Sequence, residues 1–289
     1  MTWHETIELI RKDPEYAALV ELSYFDADLA LNVERFGQSE EFEETLRLIR
    51  EMHPAAKTIL EIGAGNGVST INFALLGYHV TAVEPDDSTT VGARAIETLA
   101  GKYNLNNIRV FQKYAEEIEF PNESFDLVYV RQAMHHAQDL DKFIKESARV
   151  LKKGGFLFTV RDHVIFDAAD KEWFFQNHPL HKFYGGENAF TPDEYKNAFN
   201  KAGLTILKEF KYYDNVINYF PLKRKEMMDK IFLNEGQLKD KLRRKISFLA
   251  DFPFVFRLYK ARTGFSKEDA FHSERKIPGR MYSYIATRP

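Results

Sequence analysis

The 289-residue sequence predicts an α/β fold: a doubly wound, mostly parallel seven-stranded sheet with an N-terminal helical cap and an insertion before the last strand. Three observations carry this expectation. Between residues 57 and 212, short apolar runs alternate with helical patterns, the rhythm of strand–helix–strand units with right-handed crossovers. One apolar run, containing Ile59, Leu60 and Ile62, feeds three glycines spaced G-x-G-x-G at Gly63, Gly65 and Gly67, and a helical pattern opens at Val68. A second run ends in Glu84, twenty-one residues after Gly63, where a doubly wound fold places an acceptor for ribose hydroxyls.

Taken in order, residues 1–56 read as helices. Ile7, Ile10, Leu19, Val20, Leu29, Val33, Phe36, Phe42, Leu46 and Ile49 keep a helical spacing, with a break at Gly37. The core of the fold is expected over 57–212. Its strands are Lys57–Ile62, Tyr78–Glu84, Ile108–Gln112, Ser124–Val130, Gly154–Val160 and Leu204–Tyr212. Its helices are Gly67–Leu76, Ser88–Ala100 with Ser88 as N-cap, Leu140–Val150, and 191–204. Thr191, Pro192 and Glu194 give that last helix a capping box and a proline at its first position. Asp162–Asn188 interrupts the rhythm and is rich in aromatics and histidine. Met281–Thr287 is the seventh strand, within a final core segment 279–289, and 213–278 is an insertion.

Composition narrows the functional classes. There is no cysteine, which removes disulfides, thiolate metal sites and cysteine nucleophiles and points to the cytoplasm. No apolar run approaches the ~20 residues of a membrane span, and MTWHETIELIRKDPEY has no signal-peptide core. A net charge of −3 makes no case for nucleic acid. Charge is nevertheless uneven: Pro221–Arg262 holds twelve Lys/Arg against five Asp/Glu.

The glycine loop identifies the ligand class. Gly63 permits backbone angles closed to other residues, and Gly65 lets a ligand approach the main chain. The helix start that follows offers unpaired N–H groups. A dinucleotide fingerprint requires a glycine three positions after Gly65, where this chain has Val68. Glu61, at the strand end, disfavours a diphosphate and suits a cationic ligand. S-adenosylmethionine (SAM) carries a ribose, an adenine and a sulfonium, and no phosphate.

On LEIGAGNG (60–67), VTAVEPD (80–86), FPNESFDLVYV (120–130) and LKKGGFLFTV (151–160), in that order and spacing, the chain resembles the class I SAM-dependent methyltransferases. The resemblance implies SAM as cofactor, S-adenosylhomocysteine as product, and a small-molecule acceptor. It places Glu84 on the ribose and Pro85 and Asp86 along the adenine, beside Ala115 and Glu116. Where the family commonly has an acidic residue before Ala115, this chain has Tyr114, which cannot act as a carboxylate. Arg131 is expected beside the methionine end through its backbone. The N-terminal helices are expected over the pocket, with Arg35 on the methionine carboxylate, against the plainer reading of Arg35 as a solvated side chain on an amphipathic helix.

Methyl transfer is an in-line displacement, and a hydroxyl acceptor needs a base. His135 and His136 follow the fourth strand and His163 follows the fifth, all at the sheet edge where ligands bind in open sheets. His136 and His163 are the candidate bases. His135, His178, His181, Tyr184 and Glu187 are candidate acceptor contacts, and their aromatic and polar surroundings suit a sugar or nucleotide-sugar hydroxyl. His178-x-x-His181 has the spacing of a metal pair, but no further ligand is pinned by spacing, so no metal site is expected. In the insertion, Leu238, Leu242, Ile246 and Leu249 share one helical face among basic residues. Three readings stay open there: a cover suited to an anionic or glycosylated acceptor, a contact between copies of the chain, or peripheral membrane contact through 238–262. The competing functions are a non-catalytic SAM-binding protein and an NAD-dependent oxidoreductase.

Overall fold

The computed structural model describes residues 1–219, 222–224, 274, 277 and 280–289. The strands are β1 (Thr58–Ile62), β2 (His79–Val83), β3 (Ile108–Phe111), β4 (Phe125–Arg131), β5 (Leu151–His163), β6 (Thr205–Phe210) and β7 (Met281–Thr287). They form one sheet in the order β3-β2-β1-β4-β5-β7-β6. β1 pairs in parallel with β2 and with β4, and β7 is antiparallel to both neighbours. Strand order therefore reverses between β1 and β4. Ile62 pairs with Val83 on one side and Val130 on the other, so these strands end level.

Alternation along the strands feeds two cores. Leu60, Ile62, Val128 and Val130 pack on one face with Phe143 and Ile144 of α7 (Leu140–Val150) and Tyr195 and Phe199 of α10 (Pro192–Lys201). Ile59, Leu127, Tyr129 and Phe158 pack on the other. Their partners there are Phe73 of α5 (Val68–Leu75), Phe36 of α3 (Leu29–Gly37), and Phe42 and Leu48 of α4 (Glu40–Met52). Each such side chain contributes ~1.5–3 kcal/mol on burial.

The N-terminal segment thus divides. α3 and α4 belong to the core beneath the sheet. In α1 (Trp3–Ile10), Ile7 and Ile10 pack instead with Val20 of α2 (Ala17–Leu22), with Val91 and with Leu180, at the ligand edge of the sheet. Thr2 and Glu5 close a capping box on α1, and Thr191 and Glu194 close the one expected on α10.

Most element bounds differ from the sequence expectation, and the largest differences are in α6 and β5. α6 runs Ala93–Lys102, not from Ser88. Asp86 O accepts the Ala93 N–H and Ser88 Oγ accepts the Val91 N–H, so 86–92 is a loop. β5 continues past Val160 to His163 through Arg161, whose φ is +61° where the pairing with β7 shifts register. The interruption after it holds α8 (Ala168–Asn177) and α9 (His181–Tyr184). At the base of the insertion, Tyr213, Val216 and Tyr219 pack with Leu222 and Ile277. The basic stripe from Leu238 to Leu249 and the 238–262 contact surface lie outside the described residues.

Candidate active site

The loop after β1 is left-handed at each of its glycines, with φ +69° at Gly63 and +55° at Gly65. A Cβ on Gly63 would lie 2.3 Å from Cβ of Ala133, so the loop abuts the segment after β4. Among the described residues, a Cβ on Gly65 would meet only Val91 O, at 4.0 Å, so this main chain faces open space there. Glu84, at the end of β2, closes the loop from the other side. Its carboxylate accepts the Gly65 N–H at 2.7 Å and the Asp86 N–H at 3.0 Å. Burial pushes its pKa up to about 7 against those two bonds. Pro85 O accepts from Gln112.

Several sequence-predicted residues are engaged elsewhere. Glu61 accepts the hydroxyls of Ser69 and Thr70, in the first turn of α5 just after the glycine loop; burial pushes it up to about 7. Ala115 and Glu116 form a short turn, and Glu116 accepts the Gln138 N–H at 3.0 Å, which fixes the approach to α7. The Arg35 guanidinium pairs with Asp26 at 2.5 Å and lies 3.7 Å from Glu21, because those carboxylates stand within reach of α3. The Arg131 side chain turns away from the loop to Glu41, at 2.6 and 3.2 Å, and lies over the rings of Tyr24 and Phe36. Glu41 also accepts from Arg161 at 2.8 Å. Burial would raise the Glu41 carboxyl, but the two guanidiniums hold it below its ordinary value.

The histidines converge. The turn Met134–His136 after β4 carries His135 and His136, β5 delivers Asp162 and His163, and the loop after α9 delivers Glu187. Asp162 Oδ1 accepts from both the main-chain N–H and Nδ1 of His135, at 3.1 and 3.0 Å. With Nδ1 as the donor, His135 aims Nε2 at Glu187, 3.7 Å away. Burial opposes charging His135, but the bonds to Asp162 and Glu187 prevail and hold its pKa at about 9. Glu187 is held well below the usual carboxylate range: burial raises it, and the His135 hydrogen bond and neighbouring imidazoles outweigh that.

His136 is the open member, with a side chain 37% exposed. Its Nδ1 donates to Gly186 O at 3.1 Å, which leaves Nε2 unprotonated. The buried part of the ring and then the adjacent His135 lower its pKa, so the imidazole is neutral. His163 is buried between His135, His178 and Phe174, with ring centroids 4.6, 5.3 and 5.0 Å away, and burial pushes it well below the usual histidine range. His178 stands 3.9 Å from Glu187. His181 stacks on Phe175 at 4.5 Å. Tyr184 packs on Trp3, and its phenol is pushed up by burial, then by Glu187, Tyr114, Glu84 and Asp86. Sequence reasoning missed Asp162 and Glu41, and the only trace of the former is an Asp one residue before His163 at a strand end.

No helix among the described residues is long and apolar enough to cross a membrane. Residues 33–209 match a family model described as a methyltransferase domain. An uncharacterized methyltransferase, YcgJ, of Bacillus subtilis (strain 168) is 35% identical over 109 residues, 38% of this chain and 42% of that protein. A ubiquinone biosynthesis O-methyltransferase of Rhizobium leguminosarum bv. trifolii (strain WSM2304) is 25% identical over 51% of this chain and 59% of its own length. The chain thus spans about half the length of the curated relatives it matches. Among solved structures, the Bacillus YcgJ protein aligns with TM-score 0.52 at 20% identity, covering 85% of this chain and 97% of that one. Geranyl diphosphate C-methyltransferase of Streptomyces coelicolor A3(2), in complex with Mg2+, geranyl diphosphate and S-adenosyl-L-homocysteine, aligns with TM-score 0.57 at 14% identity, covering 86% and 79%. Both share the fold.

Proposed function

The chain belongs to the class I SAM-dependent methyltransferases of small-molecule type, and from that premise we propose that it methylates a hydroxyl oxygen, with His136 as general base. The observation that carries this reading is the contact between Gly63 and Ala133. It brings the glycine loop against the segment that bears His135 and His136, which supports a reading with cofactor and acceptor on one edge of the sheet.

In this reading the main chain at Gly63, Gly65 and Arg131, together with Ala115 and Pro85, lines the cofactor. Glu84 accepts the ribose hydroxyls in place of the Gly65 N–H or beside it. SAM held there would supply the methyl group: the acceptor hydroxyl would give its proton to Nε2 of His136 as its oxygen takes the methyl group, and the S–CH3 electron pair would stay on sulfur in S-adenosylhomocysteine. His136 serves better than His163 because its Nε2 is unprotonated and its side chain is open.

Sugar and nucleotide-sugar hydroxyls fall within the proposed class, but stacking is not what supports them. The rings of the aromatic segment are used in packing: Phe174 against His163 and His178, Phe175 on His181, Phe183 on Tyr16. Support comes from the polar tips of His136, His178, Tyr184 and Glu187. A cysteine-free chain fits a reducing cytoplasm.

The test is a methyl-transfer assay with labelled SAM over a panel of hydroxyl-bearing acceptors, for the wild type and His136→Ala. The expected result is a kcat lower by ~10²–10⁴-fold with the KM for SAM little changed. Full turnover by the variant removes His136 from the role. Binding of SAM with no transfer to any acceptor favours the non-catalytic alternative.

A further inference from the structure

We propose that His135, His163 and Glu187 form a binding site for a first-row divalent metal ion of the zinc class. Candidate donor atoms of the three residues lie within 4.8 Å of one another, and all three residues are buried. Tetrahedral bonds of ~2.0–2.1 Å separate ligand atoms by about 3.3 Å. The 3.7 Å between His135 Nε2 and Glu187 Oε2 is within a small side-chain adjustment of that value.

The surroundings are those of a held ligand set. Asp162 accepts Nδ1–H of His135, the arrangement that fixes the tautomer and orientation of metal-bound imidazoles. His163 Nδ1 is buried and has no hydrogen-bond partner among the described residues. A single shared proton satisfies one imidazole of this group, whereas a divalent ion takes both imidazoles and the carboxylate together. His178 is a positioning residue rather than a fourth ligand. Its Nδ1 accepts the Leu180 N–H at 3.4 Å, so Nε2 carries the proton and faces Glu187.

Two imidazoles and one carboxylate favour zinc, cobalt or iron(II) over magnesium or calcium, which prefer oxygen alone. Three protein ligands leave a coordination position for a further oxygen. Resting on the proposed methyl transfer, that oxygen is the acceptor hydroxyl, whose pKa a bound metal lowers strongly. The acceptor class then narrows to oxygen donors able to coordinate a metal beside His136.

Metal binding is tested without methyl transfer, on the full chain stripped with a chelator and titrated with Zn2+ by calorimetry and with Co2+ by absorption spectroscopy. The expected result is one equivalent bound, a Co2+ spectrum of low coordination number, and loss of binding in His163→Ala and Glu187→Gln. Asp162→Asn is expected to weaken affinity roughly 10–100-fold at unchanged stoichiometry, and His181→Ala to leave it unchanged. Circular dichroism establishes that each variant is folded. Failure of the wild type to bind either ion at micromolar concentration overturns the proposal, as does unchanged affinity in folded His163→Ala and Glu187→Gln. S-adenosylhomocysteine titrated in parallel reads the cofactor site separately, so failure of the metal site leaves the methyltransferase reading standing.

Discussion

Oε2 of Glu84 accepts the N–H of Gly65 at 2.7 Å, so the carboxylate at the end of β2 and the glycine loop after β1 are bonded to each other. The geometry puts the proposed ribose acceptor and the open main chain of the loop in one place. It also buries the carboxyl, and its pKa rises from 4.5 to about 7.

That rise predicts a proton coupled to cofactor binding. A carboxyl whose folded pKa lies above its unfolded value stabilises the fold below the unfolded value, and that contribution is lost as pH rises through the folded one. For Glu84 the window runs from 4.5 to about 7. Ribose hydroxyls donate, so they bind the ionised form and drive the proton off. Affinity for S-adenosylhomocysteine therefore falls below about pH 7, by up to tenfold per unit. Calorimetry near pH 6.5 in two buffers of different ionisation enthalpy is expected to give different heats for the wild type and equal heats for Glu84→Gln. Buffer-independent heats in the wild type contradict the coupling.

Gly63 and Gly65 separate folding from binding. Both have positive φ, which costs a side chain about 1–2 kcal/mol at either site. Gly63→Ala adds a 2.3 Å clash with Ala133, and overpacking of this kind costs about 1–3 kcal/mol more. Gly65→Val meets no such obstacle but occupies the approach to the main chain. Urea unfolding is expected to show the larger loss for Gly63→Ala, and calorimetry the larger loss of cofactor affinity for Gly65→Val. The reverse order would remove the loop from the binding site.

Beneath the site, Glu41 holds together Arg131, at the end of β4, and Arg161, within β5. Glu41→Ala leaves two buried guanidiniums without this carboxylate. Breaking a buried pair in this way costs about 3–5 kcal/mol. Denaturant unfolding measures it, and a loss under about 1 kcal/mol would mean that water or other groups already solvate the arginines.

Much of the fold is legible in the sequence because strand alternation and caps are local. Leu140–Val150 and Met281–Thr287 have the same bounds in the sequence reading and in the structure. The edge that collects the histidines follows from strand ends alone. Pairings between distant residues leave no such trace. Glu41 meets Arg131 and Arg161 across 90 and 120 residues, and no spacing rule reaches that far. Arg35 shows the same limit from the other side: a guanidinium is visible in the sequence, but its capture by Asp26 depends on how the chain turns between α2 and α3. Ser88 is a sound N-cap by type, yet Asp86 and Gly92 approach closely enough to make a loop there.

The most direct measurement is calorimetric titration of S-adenosylhomocysteine into the wild type and Glu84→Ala. The account predicts binding by the wild type and a loss of ~1.5–3 kcal/mol in the variant, from the removal of charge-assisted hydrogen bonds to the ribose. Unchanged affinity in a folded Glu84→Ala would contradict the placement of the cofactor at the ends of β1 and β2.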